Sequence, residues 1–144
     1  MTTIVFDGKT LAVDSQVTAG SVIVGVRNKI QDIGGYFVAG CGNTDGIDLV
    51  VGYLLEGKEK PTGLSANDAD VLFVNKETGE AFRAFGDTLV MSKAVIPFFG
   101  GSGAEIAQGA YQVCNDPIKA LKVAMKLDVY TGGPINMVKI EKPA

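Results

Sequence analysis

A threonine stands second in this chain, in the run Met1-Thr2-Thr3-Ile4-Val5. Bacterial-type removal of Met1, which favours a small residue next in line, would leave Thr2 with a free α-amino group. One residue would then carry a nucleophile and its base. A threonine hydroxyl is a weak nucleophile at neutral pH, and an amine with an ordinary pKa of about 8 beside it can take the proton. The chain contains no histidine, so Ser-His-Asp and Cys-His catalysis and every histidine-containing zinc site are excluded. The two cysteines, Cys41 and Cys114, lack metal-ligand spacing and read as small buried hydrophobes.

The elements that must position such a residue belong to one domain spanning residues 1–144. With 47% hydrophobic and 20% charged residues, the chain has the composition of a globular domain with a proper core. A net charge of −3 argues against a nucleic-acid partner, whose phosphates select clustered Lys and Arg. No apolar run approaches a membrane span, and the start lacks the basic and long apolar regions of a signal peptide. The expectation is a cytoplasmic protein with no membrane partner.

The N-terminal third reads as short strands: Thr2 to Phe6, Leu11 to Val13, Ser21 to Val26, Lys29 to Ile33 and Tyr36 to Ala39. They are separated by Asp7-Gly8, Arg27-Asn28 and Gly34-Gly35 turns. From Asp45 the period becomes helical through Ile47, Val50, Val51, Leu54 and Leu55, and closes at Gly57. Lys58 to Asp70 reads as a polar surface connection. Strands resume at Val71 to Asn75, Ala81 to Phe85 and Ala94 to Phe99. Two helices follow, Ala104 to Cys114 and Ile118 to Leu127, the second capped by Asp116 with Pro117 at its first position. Their apolar faces are read as Ile106, Ala107, Ala110 and Val113, and as Ile118, Leu121 and Met125. A last strand runs from Ile135 to Ile140. Segregated strands and helices of this kind predict an α+β layered domain.

Several segments together carry a resemblance. They are Thr2-Thr3-Ile4-Val5, Ala12-Val13-Asp14-Ser15-Gln16-Val17-Thr18 on the second strand, Arg27-Asn28-Lys29-Ile30, Gly101-Ser102-Gly103 opening a helix, and Asp128-Val129-Tyr130-Thr131-Gly132-Gly133-Pro134-Ile135. In this order, over nearly the whole chain, they resemble the proteasome β-subunit and HslV peptidase family, the N-terminal-nucleophile (Ntn) hydrolases with a catalytic threonine. The implied fold is the Ntn-hydrolase αββα sandwich of antiparallel sheets. The family's second long helix has no counterpart between the Ile47 helix and Val71, so one helical layer is expected to be reduced.

The resemblance implies a role for each matching residue. Thr2 is the nucleophile and its amine the proton shuttle. Lys29 is the catalytic lysine, whose ammonium favours the threonine alkoxide and depresses the nearby amine, and Asp14 holds Lys29. Taken alone, Asp14 reads sooner as a solvated turn aspartate, and Ser102 as a helix N-cap; the shared pattern reverses both. In the family pattern Ser102 lies beside the threonine amine, with Asp128 and Thr131 completing the site as in proteasome β-subunits. Gly42, in Gly40-Cys41-Gly42-Asn43, supplies the oxyanion N–H. Val17 and Thr18 pair with the backbone of an extended substrate, and Cys41 borders the pocket for the residue before the cut.

No cofactor is implied for the chemistry. The backbone carbonyls of Met125, Asp128 and Thr131 would offer a site for a structural monovalent or divalent cation. The implied activity is that of a threonine endopeptidase cleaving polypeptides inside a homo-oligomeric ring, served by an AAA+ ATPase unfoldase. Ring contacts are expected on apolar helical residues such as Val50, Leu54 and Tyr111. Two alternatives remain: a non-proteolytic ring-forming relative that retains Met1, and an Ntn amidase acting on small amides.

Overall fold

The computed structural model describes residues 1–141. Its strands are β1 (Thr3–Phe6), β2 (Thr10–Val13), β3 (Gln16–Ala19), β4 (Val22–Val26), β5 (Gln31–Ile33), β6 (Tyr36–Gly42), β7 (Ala69–Asn75), β8 (Ala81–Phe85), β9 (Ser92–Lys93), β10 (Phe98–Gly101) and β11 (Asn136–Lys139). The helices are α1 (Thr44–Glu56), α2 (Ala104–Cys114) and α3 (Pro117–Leu127). None of them is long and apolar enough to cross a membrane.

Two antiparallel sheets stack face to face. One has the order β10-β1-β2-β11, the other is the meander β5-β6-β7-β8-β9, and β3 with β4 forms a separate ribbon. Strand alternation explains the layers, because each central strand is apolar on both faces. Ile4, Phe6, Leu11 and Val13 meet Ala39, Cys41, Leu72 and Val74 between the sheets. Their neighbours point outward: Val5 and Ala12 pack under α2 and α3, while Val38, Val71 and Phe73 pack under α1. The result is the expected αββα sandwich. On the α1 side the helical layer is a single helix, supplemented by Leu64 from the polar connection.

Local chemistry sets the helix ends. Asn43 caps α1 by accepting the Gly46 N–H, and Gly57 ends it at φ +66°. Asp116 accepts the Ile118 and Lys119 N–H groups before Pro117 opens α3.

Four sequence expectations need correction. The run from Ala12 to Thr18 is not one strand, because Asp14 interrupts the ladder and β3 leaves to pair with β4. Ala94 to Phe99 is not a strand either: β9 ends at Lys93 in one sheet and β10 begins at Phe98 in the other, with Pro97, which has no N–H to give a ladder, between them. Val113 is exposed and not part of a packed face. Of the helical residues expected at ring contacts, Val50 is fully buried under its own sheet, Leu54 packs beside it, and Tyr111 sets its ring edge against Phe99. On the ribbon Val22, Ile23, Val24 and Val26 face solvent together, while on the helices the exposed apolar residues are Leu49, Val113, Val123 and Leu127.

Candidate active site

β1 delivers Thr2 to the end of the sandwich, where three neighbouring segments close around it. The Thr2 carbonyl accepts the Ser102 N–H at 3.0 Å. This approach requires glycine at 101, whose φ is +89° and where a Cβ would overlap the Thr2 carbonyl oxygen. Because Ile4 pairs with Val13, Asp14 arrives beside Thr3. The Thr3 N–H donates to Asp14 Oδ1 at 3.0 Å, and the Gly132 N–H donates to Oδ2 at 3.2 Å. Asp14 is completely buried, contrary to a solvated turn.

Lys29 satisfies that buried charge. Its Nζ donates to Asp14 Oδ1 at 3.0 Å and to the Met1 carbonyl at 2.9 Å, so the ammonium lies against the peptide that joins Met1 to Thr2. Burial pushes the Lys29 ammonium below the ordinary lysine range; Asp14 opposes the shift, and neighbouring Arg27 adds to it. A buried pair of this kind holds position because each partner alone would be an uncompensated charge.

A second cluster adjoins the first. Ser102 Oγ donates to Asp128 Oδ2 at 2.6 Å, and Thr131 Oγ1 donates to the same oxygen at 2.6 Å. Thr131 Oγ1 also lies 2.7 Å from Thr3 Oγ1, which accepts the Gly103 N–H at 2.9 Å. Since the one Thr131 hydroxyl proton goes to Asp128, Thr3 must be the donor to Thr131. Burial works to raise the Asp128 carboxyl, but the two hydroxyls, the Tyr130 N–H and the N-terminal ammonium together hold it below the usual carboxylate range. Ser102 is not the cap of α2: Gly103 occupies that position, without a side-chain bond.

A cleft of about 360 Å³ opens beside Thr2, lined by Gln16, Val17, Thr18, Lys29 and Gly42 among others. Gly42 ends β6 on this cleft. The Asn43 N–H donates to Asp68 O at 2.9 Å, which makes Gly42 and Ala69 a non-hydrogen-bonded pair and turns the Gly42 N–H away from β7. Cys41 does not border this pocket. Strand parity places Val38, Gly40 and Gly42 on the cleft and turns Cys41 into the core between the sheets, where burial raises its thiol pKa to about 12.

Sequence reasoning missed two residues. Thr3 links the two clusters through its buried hydroxyl, and the only signal was a second threonine beside Thr2. Gln16 lines the cleft and donates through Nε2 to the Val129 carbonyl at 3.1 Å. Of the three carbonyls considered for a cation, that of Asp128 already accepts the Thr131 N–H at 3.1 Å. Among the described residues no group of three or more Cys, Asp or Glu is placed to hold a metal.

No family model matches this chain, and no curated protein matches it. Solved structures do. Eukaryotic HslV from Trypanosoma brucei superposes with a TM-score of 0.69 at 19% identity, covering 98% of this chain and 99% of that one. The fold is that of HslV. Thiobacillus denitrificans BPH matches similarly, with a TM-score of 0.65 at 18% identity over 97% of this chain and 98% of its own. The same protein in complex with epoxomicin gives 0.64 at 17% identity over the same shares. The HslV fold thus accounts for the whole sandwich, at an identity that speaks for architecture alone.

Proposed function

We propose that this chain is a threonine endopeptidase subunit in which Thr2, exposed by removal of Met1, attacks peptide carbonyls. The observation that carries the reading is the buried Asp14–Lys29 pair, whose ammonium sits 2.9 Å from the Met1 carbonyl at the threshold of Thr2. With Met1 gone, that N–H is released toward the new N-terminus. The Thr2 hydroxyl then gives its proton to its own amine as Oγ bonds to the substrate carbon. Lys29 stabilises the oxygen electrostatically, and the Gly42 N–H receives the oxyanion. Return of the proton to the departing amine leaves an ester on Thr2, which water hydrolyses with the same amine as base. Asp14 positions Lys29. Ser102, Asp128 and Thr131 form the polar wall at the N-terminus, where Asp128 supplies a negative charge beside the amine.

Val17 and Thr18 lie on β3, whose side toward the cleft has no strand partner among the described residues, and an extended polypeptide would pair there. By resemblance, the site works within a homo-oligomeric ring fed by an AAA+ unfoldase. The Met125, Asp128 and Thr131 carbonyls belong to the proposal as a structural cation site that takes no part in the chemistry. Intact-mass measurement of the purified protein, alone and after treatment with a peptide epoxyketone, tests the central claim. Loss of Met1 and one adduct on Thr2 are expected. Retained Met1 with no adduct would instead favour the non-proteolytic ring-forming relative.

A further inference from the structure

The cleft beside Thr2 also carries the charges that would read a substrate side chain. Arg27 lines it, with its N–H bonded to the Ser15 carbonyl at 2.8 Å and Nη2 lying 3.4 Å from Thr44 Oγ1 in the first turn of α1. Lys29, the other cationic side chain among the described lining residues, is neutralised by Asp14. Arg27 makes no ion pair among the described residues. Among the described residues the one lining carboxylate, Asp48, stands a turn further along α1. It also lines a second cleft on the outer side of that helix, with Asp45, Leu49 and Lys58, and so occupies the ridge between the two.

Arg27 is therefore the lining cation that no carboxylate pairs among the described residues, with Asp48 a turn away at the rim. Gln31 adds an amide donor to the lining. We propose that Arg27 selects peptides with an acidic side chain immediately before the cut bond, Asp48 at the rim moderating the preference. A guanidinium suits this role because its planar fork meets a carboxylate with two hydrogen bonds. The position follows from Thr2 and Gly42, which fix the attacked carbonyl at one end of the cleft, so the side chain preceding it enters toward Arg27 and Thr44.

This inference rests on the peptidase reading. The test uses full-length assembled protein and fluorogenic peptides differing only in Glu, Gln, Leu or Lys before the reporter. The nearly isosteric Glu and Gln isolate the charge. The Glu peptide should exceed the Gln peptide in kcat/KM by about tenfold at low salt, and the gap should narrow as salt screens it. Arg27→Gln should bring that ratio close to one, and Asp48→Asn should raise it. A faster Lys peptide, or a ratio that Arg27→Gln leaves unmoved, would overturn the inference. Labelling of Thr2 by an epoxyketone with a neutral side chain separates the two levels. Labelling without a Glu preference removes the specificity alone, whereas no labelling and no cleavage of any peptide removes both.

Discussion

The Thr3 and Thr131 hydroxyls meet at 2.7 Å across 128 positions of sequence, and through them the first strand is tied to the loop after α3. Thr3 Oγ1 takes the Gly103 N–H, Thr131 passes its proton to Asp128, and Asp128 also holds Ser102. Thr3→Val keeps the volume but removes the link, leaving a buried N–H unsatisfied. A loss of about 1–3 kcal/mol in denaturant unfolding is expected, with Thr3→Ser much nearer wild type. Equal stability of Thr3→Val and wild type would show that the link is dispensable.

Thr2→Ala provides the complementary case. The hydroxyl lies outside the core and makes none of the hydrogen bonds that fix its neighbours among the described residues, so unfolding free energy should change by no more than about 0.5 kcal/mol. Peptide turnover and epoxyketone labelling should both vanish. Residual turnover in this variant would point to another nucleophile.

Lys29 should make activity sensitive to alkali. Its ammonium is held below the ordinary lysine range, first by burial and further by Arg27, so the proton that supports the alkoxide leaves at a lower pH than from a free lysine. The alkaline limb of kcat/KM should accordingly fall below the usual lysine titration, and Arg27→Gln should move it upward by removing a like charge. Lys29→Ala and Lys29→Arg should each lose most activity, since a guanidinium cannot occupy the compact site between Asp14 and the N-terminus. A nearly wild-type rate for Lys29→Arg would contradict a positioned ammonium.

Acid acts on the other cluster. Asp128 is held below its ordinary value in the folded state, so the unfolded chain binds its proton more readily. The associated stability is present above the unfolded carboxylate pKa of about 4 and is lost as pH falls through the folded value. Asp128→Asn should flatten this part of the stability profile, measured by thermal melts between pH 6 and pH 2. An unchanged acid slope would place the sensitive group elsewhere.

These elements differed in how plainly the sequence announced them. α3 was legible because Asp116-Pro117 is a complete N-terminal signal, and α1 because Gly57 ends it. Asp14 broke the period of its strand in a way composition does not reveal: its carboxylate takes backbone N–H groups from Thr3 and Gly132, a partner 118 positions away. Cys41 was misplaced because register parity decides which face a residue takes, and a single step reverses it. Thr3 escaped notice because a buried β-branched residue in a strand already satisfies strand propensity. The resemblance brought Thr2, Asp14, Lys29, Ser102, Asp128 and Thr131 into consideration together, and the fold sets them around one N-terminus.

The proposed ring makes the last prediction, and the ribbon decides where it looks. Among the described residues β4 pairs only with β3, so its other edge offers unpaired backbone groups, and the strand reads Val-Ile-Val-Gly-Val without a charge. Val22, Ile23, Val24 and Val26 each expose more than half their surface. Monomeric proteins usually protect such edges with charge or proline, and β4 has neither. Cover by a neighbouring copy would bury the ribbon and also enclose the cleft that β3 lines, giving a protease its chamber. Light scattering after size-exclusion chromatography of Thr2→Ala should therefore show an oligomer, and adding Ile23→Lys with Val24→Asp should dissociate it while the far-ultraviolet spectrum stays the same. A monomer that cleaves peptides would refute the chamber and favour the small-amide hydrolase. An oligomer indifferent to the two charges would move the contact away from the ribbon.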